Sequence, residues 1–297
     1  MSPITVALAG GSGGLGRYIL DELLSQGKHK VVVLTREPRA DLEKIGVIVE
    51  TVDYNNHESL VNALRGVHTI ISFIWSSEGG LKDSQIGLLK AAVEAGVKRF
   101  APSEWALDSL TYQNIPQYAD KLPIREVLKQ SNLEYTLFFN GLFLNYFGKE
   151  AGYLRGVGLV FDVKNGKAVI PGTGDEPLTV THTKDIAKYV VAALEQPKWR
   201  EVTGIEGERT TFNKILEALQ RVTGKEFEII YKPASEFEEN IKQSSGPLMD
   251  TFMDYVKLSW INGQGTVSPS TRQDFPEIKP IGVDEFIQQA WGQEKQV

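Results

Sequence analysis

The stretch A-G-G-S-G-G-L-G, Ala9 to Gly16, decides how this 297-residue chain is read. It follows a short apolar run, T-V-A-L-A at 5–9, and opens an apolar-periodic segment that predicts a helix over 16–26. Two glycine spacings fit: G-x-x-G-x-x-G through Gly10, Gly13 and Gly16, and G-x-G-x-x-G through Gly11, Gly13 and Gly16. Both meet the same need. The chain must turn tightly, let a pyrophosphate approach backbone N–H groups, and pack helix closely on strand. The helix N-terminus then faces the anion. The expected phosphate cradle is therefore Gly10, Gly11, Ser12, Gly13, Gly14, Leu15 and Gly16.

Working outward, β-branched runs recur at 30–35, 47–52, 69–75, 97–101 and 133–139, with helical patterns at 57–65, 84–95 and 123–130 between most of them. Such alternation predicts βαβ units and a doubly wound parallel α/β sheet. The run K-V-V-V-L-T at 30–35 is apolar on both faces, as in a sheet covered by helices on each side. After Gly141 come an aromatic segment, short strands with turns at 164–167 and 171–175, and a helix at 183–195. Further helices are expected at 212–222, 234–243, 248–258 and 283–291. The expected division is a nucleotide-binding domain at 1–150 plus about 180–205, with a smaller, mostly helical substrate lobe from 151–179 and 206–297.

Composition bounds the function. The net charge of −6 carries no basic bias, so no nucleic-acid partner is implied. No run reaches the ~18 apolar residues of a membrane span, and the N-terminus lacks the basic region of a signal peptide. The absence of cysteine excludes disulfides, thiolate nucleophiles and zinc–cysteine sites and fits a reducing, cytoplasmic setting. The four histidines have no ligand spacing, so no metal is expected. The remaining expected partner is a small-molecule substrate, with monomer and homodimer both open.

The second strand addresses which nucleotide. An NAD site places Asp or Glu about 20 residues beyond the turn. Here Arg36 ends that strand, with Arg39 close behind. A guanidinium forks onto phosphate and suits a 2′-phosphate, so NADP(H) is the expected cofactor. Alternatively, Arg36 is solvated beside Glu37. Asp53, ending the third strand, is either an acceptor for the adenine amino group or a surface turn residue.

These residues, together with L-T-R at 34–36, Q-I-G-L-L-K-A-A-V-E-A-G-V-K-R-F-A-P-S-E-W at 85–105, K-L-P-I-R at 121–125, L-E-Y-T-L-F-F-N-G-L-F at 133–143 and T-K-D-I-A-K-Y-V-V-A-A-L at 183–194, carry a resemblance. The chain resembles the isoflavone reductase-like branch of the atypical short-chain dehydrogenases, within the wider NmrA-like family. The resemblance implies a Rossmann domain with a substrate lobe, NADPH as cofactor, and often reduction of aromatic small molecules. It places the family's proposed general acid/base, which contacts the nicotinamide ribose, at Lys121, and a serine beside the nicotinamide at Ser103. The chain departs at P-S-E-W-A, where the family reads P-S-E-F-G, so Trp105 reshapes the expected substrate floor. The Y-x-x-x-K pair of ordinary short-chain dehydrogenases is not met. Tyr118 stands three residues before Lys121, a spacing that on a helix still shares one face, so Tyr118 is a candidate assistant.

Pro123 sharpens Lys121 independently. Proline is tolerated only in a helix's first turn, so Lys121 sits at or just before the helix start. The positive helix end and partial burial then lower its pKa towards proton transfer. Among the aromatics, Phe143, Tyr146 and Phe147 are expected to wall a flat substrate at the rim between lobes, whereas Phe138 and Phe139 read as core. Asn140 ends the sixth strand and is expected to hold cofactor, backbone or substrate. The expected function is an NADPH-dependent reductase of a small aromatic or conjugated-carbonyl metabolite, with Lys121 as general acid/base. The competing expectation is a non-catalytic NADP(H)-sensing regulator, which has no need of Lys121 or Ser103. A sugar-nucleotide epimerase is disfavoured by the missing Y-x-x-x-K.

Overall fold

Short β-branched runs flanked by amphipathic helices can bury both sheet faces only in layers, and the chain does this. A computed structural model describes residues 2–75, 80–108, 110, 115–154 and 159–292. The chain divides into two units, the first from Met1–Trp105, Ala119–Phe138 and Ile186–Thr203, the second from Ala106–Tyr118, Phe139–Asp185 and Gly204–Val297.

In the first unit, β1 (Thr5–Ala9), β2 (Lys30–Thr35), β3 (Ile48–Thr51), β4 (Thr69–Ser72), β5 (Arg99–Ala101) and β6 (Glu134–Tyr135) alternate with α1 (Gly14–Gln26), α2 (Ala40–Glu43), α3 (His57–Ala63), α4 (Leu81–Glu94) and α5 (Lys121–Gln130). The strands form one parallel sheet in the order β3-β2-β1-β4-β5-β6. Val6, Ala7, Leu8 and Ala9 on central β1 are fully buried, and each large aliphatic side chain so buried contributes roughly 1.5–3 kcal/mol. The strand order reverses between β1 and β4, and in open α/β sheets ligands bind outside the carboxyl ends of strands at such a reversal. The glycine-rich turn, Phe73 and the Ser103–Glu104 segment all follow the carboxyl ends of these central strands.

The expected single strand at 133–139 is two. Thr136 interrupts it, its hydroxyl bonded to that of Thr203 at 2.7 Å. β6 joins the large sheet, and β7 (Leu137–Phe139) instead leads the chain into the second unit, where β8 (Leu142–Phe143), β9 (Phe161–Asp162), β10 (Lys167–Pro171) and β11 (Leu178–Thr181) follow. α6 (Thr183–Ala193) returns the chain to the first unit, and β12 (Val202–Gly204), paired with β7, leads out again. The rest is β13 (Glu208–Thr210), α7 (Phe212–Thr223), β14 (Glu228–Lys232), α8 (Ala234–Gln243), α9 (Phe252–Ile261), α10 (Thr271–Asp274) and α11 (Val283–Trp291).

The crossing therefore falls at Phe138/Phe139 rather than near 150, and 106–118 also belong to the second unit. The cause is local: β8 pairs with β11, and Leu142, Leu144 and Phe147 are buried in the second unit's core. That unit is the longer of the two, not the smaller, and its helices accompany two three-stranded sheets, β14-β10-β9 and β13-β11-β8. α7 shows why it coheres. Phe212, Ile215, Leu216, Leu219 and Val222 form one apolar stripe, all buried. Thr211 caps its start by accepting from the Lys214 N–H, and Gly224, at φ 70°, ends it. Among the described residues no helix is long and apolar enough to cross a membrane.

Candidate active site

The glycine-rich turn divides its labour among different glycines. Gly10 and Gly14 take left-handed backbone, at φ 83° and 52°, a conformation that costs any Cβ-bearing residue. Gly16 is fixed by packing: a Cβ there would lie 2.6 Å from the Gly10 carbonyl and 2.9 Å from the Phe73 ring. At Gly11 a Cβ would meet Leu8 at 2.6 Å. Gly13 is different, since a Cβ there would meet nothing within 4 Å. It is extended, exposed, and stands at the N-cap of α1 with no side-chain cap and no acidic residue in the first turn. Among the described residues no side-chain cap covers the start of α1, and its first N–H groups, beside the open space over Gly13, suit an anion. Ser12 and Leu15 complete the turn, Leu15 buried beneath it.

Lys121 opens α5, two residues before Pro123, as the proline dictates. It is 4% exposed. Its Nζ donates to the Glu104 carbonyl oxygen at 2.6 Å and lies 3.2 Å from Glu104 Oε2. Arg125, one turn further along the same helix face, forks onto the same carboxylate at 2.7 and 2.9 Å. Burial pushes the Lys121 ammonium below its ordinary value, opposed by the Glu104 charge. Burial alone would raise the Glu104 carboxyl, but the Lys121 and Arg125 charges overcome it and hold the group below its usual range. The two cations thus favour the ionised form of the Glu104 carboxyl. Ser103, buried next in sequence, donates its backbone N–H to Gln85 Oε1 at 2.8 Å, while Gln85 Nε2 is buried without a partner.

Trp105 does not offer its ring faces as a substrate floor. They stack between Phe73 at 4.9 Å and Phe138 at 5.3 Å, nearly parallel to both, and the indole N–H donates to the Ser72 carbonyl at 2.7 Å. Among the described residues Trp105 alone, outside glycine, has a left-handed φ, 31°. The stack holds a strained corner immediately after Glu104.

On the other side of the strand reversal, Arg36 follows β2 and is exposed. Burial pushes the neighbouring Tyr54 phenol up to about 12, against the opposing pull of the Arg36 charge. Arg39 is committed elsewhere: its fork binds Asp41 at 2.7 and 2.8 Å and holds that carboxyl down at about 2. Asp53 is exposed and shapes its own turn, its Oδ1 accepting from the Asn55 N–H at 2.9 Å.

The remaining expected residues lie in the second unit. Tyr118 ends a 3₁₀ turn at Pro116–Tyr118, is buried in that unit's core and meets Phe252 edge-on. The expected shared helix face with Lys121 is absent, because α5 starts only at Lys121. Asn140 is buried, its Nδ2 donating to the Gly141 carbonyl at 3.1 Å and its Oδ1 left without a partner. Phe143 and Tyr146 are half-buried and meet edge to face at 5.8 Å. Phe147 is instead core, packed against Phe161 and Phe212. A hollow of about 150 Å³ beside Tyr146, Phe147, Phe161 and Trp291 falls below the ~300 Å³ of ordinary ligand pockets. His182 is structural, held by Asn145 and the Lys184 N–H.

Sequence reasoning missed Glu104 and Arg125 as members of the site. A signal existed: Lys121 and Arg125 are four apart on one helix, so two cations share a face, and a buried pair of cations demands an anion. Phe73 carried no such signal.

A family model described as the NmrA-like family matches residues 3–287. Oxidoreductase BOA1 of Botryotinia fuckeliana (strain B05.10) is 34% identical over 232 residues, covering 75% of this chain and 77% of that one. The isoflavone reductase homolog P3 of Arabidopsis thaliana is 26% identical, covering 95% and 96%. The solved structure described as AtPrR2 with NADP+ and (+)pinoresinol superposes with a TM-score of 0.81 at 23% identity, over 97% of this chain and 99% of that one.

Proposed function

The chain belongs to the NmrA-like family, and from that premise we propose that it is an NADPH-dependent reductase of a small aromatic or conjugated-carbonyl metabolite, with Lys121 as general acid/base. The oxidoreductase class follows its relatives in this family. The glycine turn fits a dinucleotide: the uncapped start of α1 and the space over Gly13 suit the pyrophosphate, and exposed Arg36 suits a 2′-phosphate. When bound, the cofactor supplies hydride.

The observation that carries the reading is a buried lysine held by one carboxylate whose own charge is secured by Arg125. Such a lysine is poised to give up a proton, because burial has lowered its pKa. Glu104 orients Nζ through both its carbonyl and its carboxylate. Arg125 keeps that carboxylate from taking the proton itself. Phe143 and Tyr146 are the favoured aromatic substrate contacts; Tyr118, Phe147 and Trp105 are assigned to the core and the stack.

The test is a screen of conjugated aromatic ketones for NADPH oxidation, with wild type and Lys121→Ala. Wild type is expected to turn over at least one. Binding of NADPH without turnover of any would favour the regulator reading instead.

A further inference from the structure

β14, E-I-I-Y-K at Glu228–Lys232, is an edge strand with apolar side chains open on both faces. Ile229, Ile230 and Tyr231 are 39%, 47% and 47% exposed. On its inner side β14 pairs in parallel with β10, and among the described residues no strand covers its outer side. The Glu228 N–H donates to the Gly166 carbonyl and the Lys232 carbonyl accepts from the Gly172 N–H. Residues 228, 230 and 232 therefore direct their backbone groups to β10, and Ile229 and Tyr231 direct theirs outward. Natural proteins blunt such edges or use them.

We propose that β14 pairs antiparallel with β14 of a second copy of this chain, about a two-fold axis at Ile230. This register is selected by charge. Antiparallel pairing centred on Ile230 sets Glu228 opposite the partner's Lys232, and Lys232 opposite the partner's Glu228; parallel pairing would oppose Glu228 to itself. The backbone agrees. Ile229 faces the partner's Tyr231 and Tyr231 faces the partner's Ile229, each pair exchanging two N–H···O bonds, while Ile230 meets its own copy in a non-hydrogen-bonded pair where side chains approach closest. Val169 lies in register with Ile230 and is 37% exposed, so an apolar row of four side chains crosses the axis. Lys167, 3.9 Å from Glu228, extends the flanking row as alternating positive and negative charge. Lys232 also meets Glu236 in its own chain. The two three-stranded sheets become one of six strands, by edge-to-edge addition.

Sedimentation velocity on the full chain tests this, reading mass against the 33.0 kDa monomer. Wild type is expected as a dimer that dissociates on dilution, and Ile230→Lys, at an exposed position, as a folded monomer over the same concentrations. Glu228→Lys is expected to weaken the dimer roughly tenfold, because like charges then face each other twice. The double variant Glu228→Lys with Lys232→Glu is expected to restore it. A wild type that stays monomeric, a dimer untouched by Ile230→Lys, or a double variant no tighter than Glu228→Lys would each overturn the proposal.

Discussion

Two cations of the first unit, Lys121 and Arg36, show opposite ways of keeping a charge. Lys121 is buried, and its desolvation is offset by Glu104 at 3.2 Å, itself clamped by Arg125. Arg36 is exposed after β2, next to the sheet's edge strand, and among the described residues it has no such carboxylate partner, whereas Arg39 nearby is filled by Asp41. A buried charge must be answered from within the protein; an exposed guanidinium can wait for a ligand. The first arrangement suits a group that handles a proton, the second a group that recognises an anion.

The buried arrangement is most vulnerable at Glu104. Glu104→Gln leaves Lys121 and Arg125 buried without their counter-charge, and a loss of about 3–5 kcal/mol in chemical denaturation is expected. If the loss is within that of a surface substitution, the cluster does not hold the fold as described. Next, Arg36→Ala is expected to weaken NADPH binding by roughly 10–100-fold, the worth of hydrogen bonds to a charged group, with NADH affinity unchanged in the same titration. Equal loss for both nucleotides would refute the 2′-phosphate role.

Acid titration sharpens the buried side. Glu104 titrates below its ordinary 4.5 in the folded chain, so its stabilisation is present above that pH and is lost as pH falls through the lowered value. Lys121 runs with the same sign at the alkaline end, since the unfolded chain binds its proton more tightly and stability rises with pH between its lowered value and 10.5. Denaturation midpoints of wild type against Glu104→Gln are expected to converge on acidification below 4.5. The smallest effect is expected at Arg39→Ala, under about threefold on NADPH affinity, because its fork is already taken by Asp41 and an exposed ion pair contributes little.

What the sequence made legible follows the range of each signal. The glycine turn, strand–helix alternation and Lys121 at a helix start rest on residues within a few positions of one another, and local periodicity reveals them. The Lys121–Glu104 pair joins the loop after β5 to α5, so only the two-cation helix face hinted at it. Tyr118 was misplaced for a local reason: the 3₁₀ turn at Pro116–Tyr118 ends before α5 begins, so helical spacing does not apply across it. Trp105 was misplaced by tertiary packing, its faces taken by Phe73 and Phe138. The unit boundary was missed because β7 continues the hydrophobic run of β6 while pairing elsewhere.

The most direct measurement is single-turnover oxidation of bound NADPH by wild type and Lys121→Ala, followed across pH with one conjugated aromatic ketone. Lys121→Ala is expected to bind NADPH as wild type does yet to react roughly 10²–10⁴-fold more slowly, the usual worth of a positioned acid. The wild-type rate is expected to fall as pH rises through the lowered Lys121 value, below 10.5, and this limb is expected to be missing from the variant. A variant that keeps the full rate and the same pH profile would contradict it.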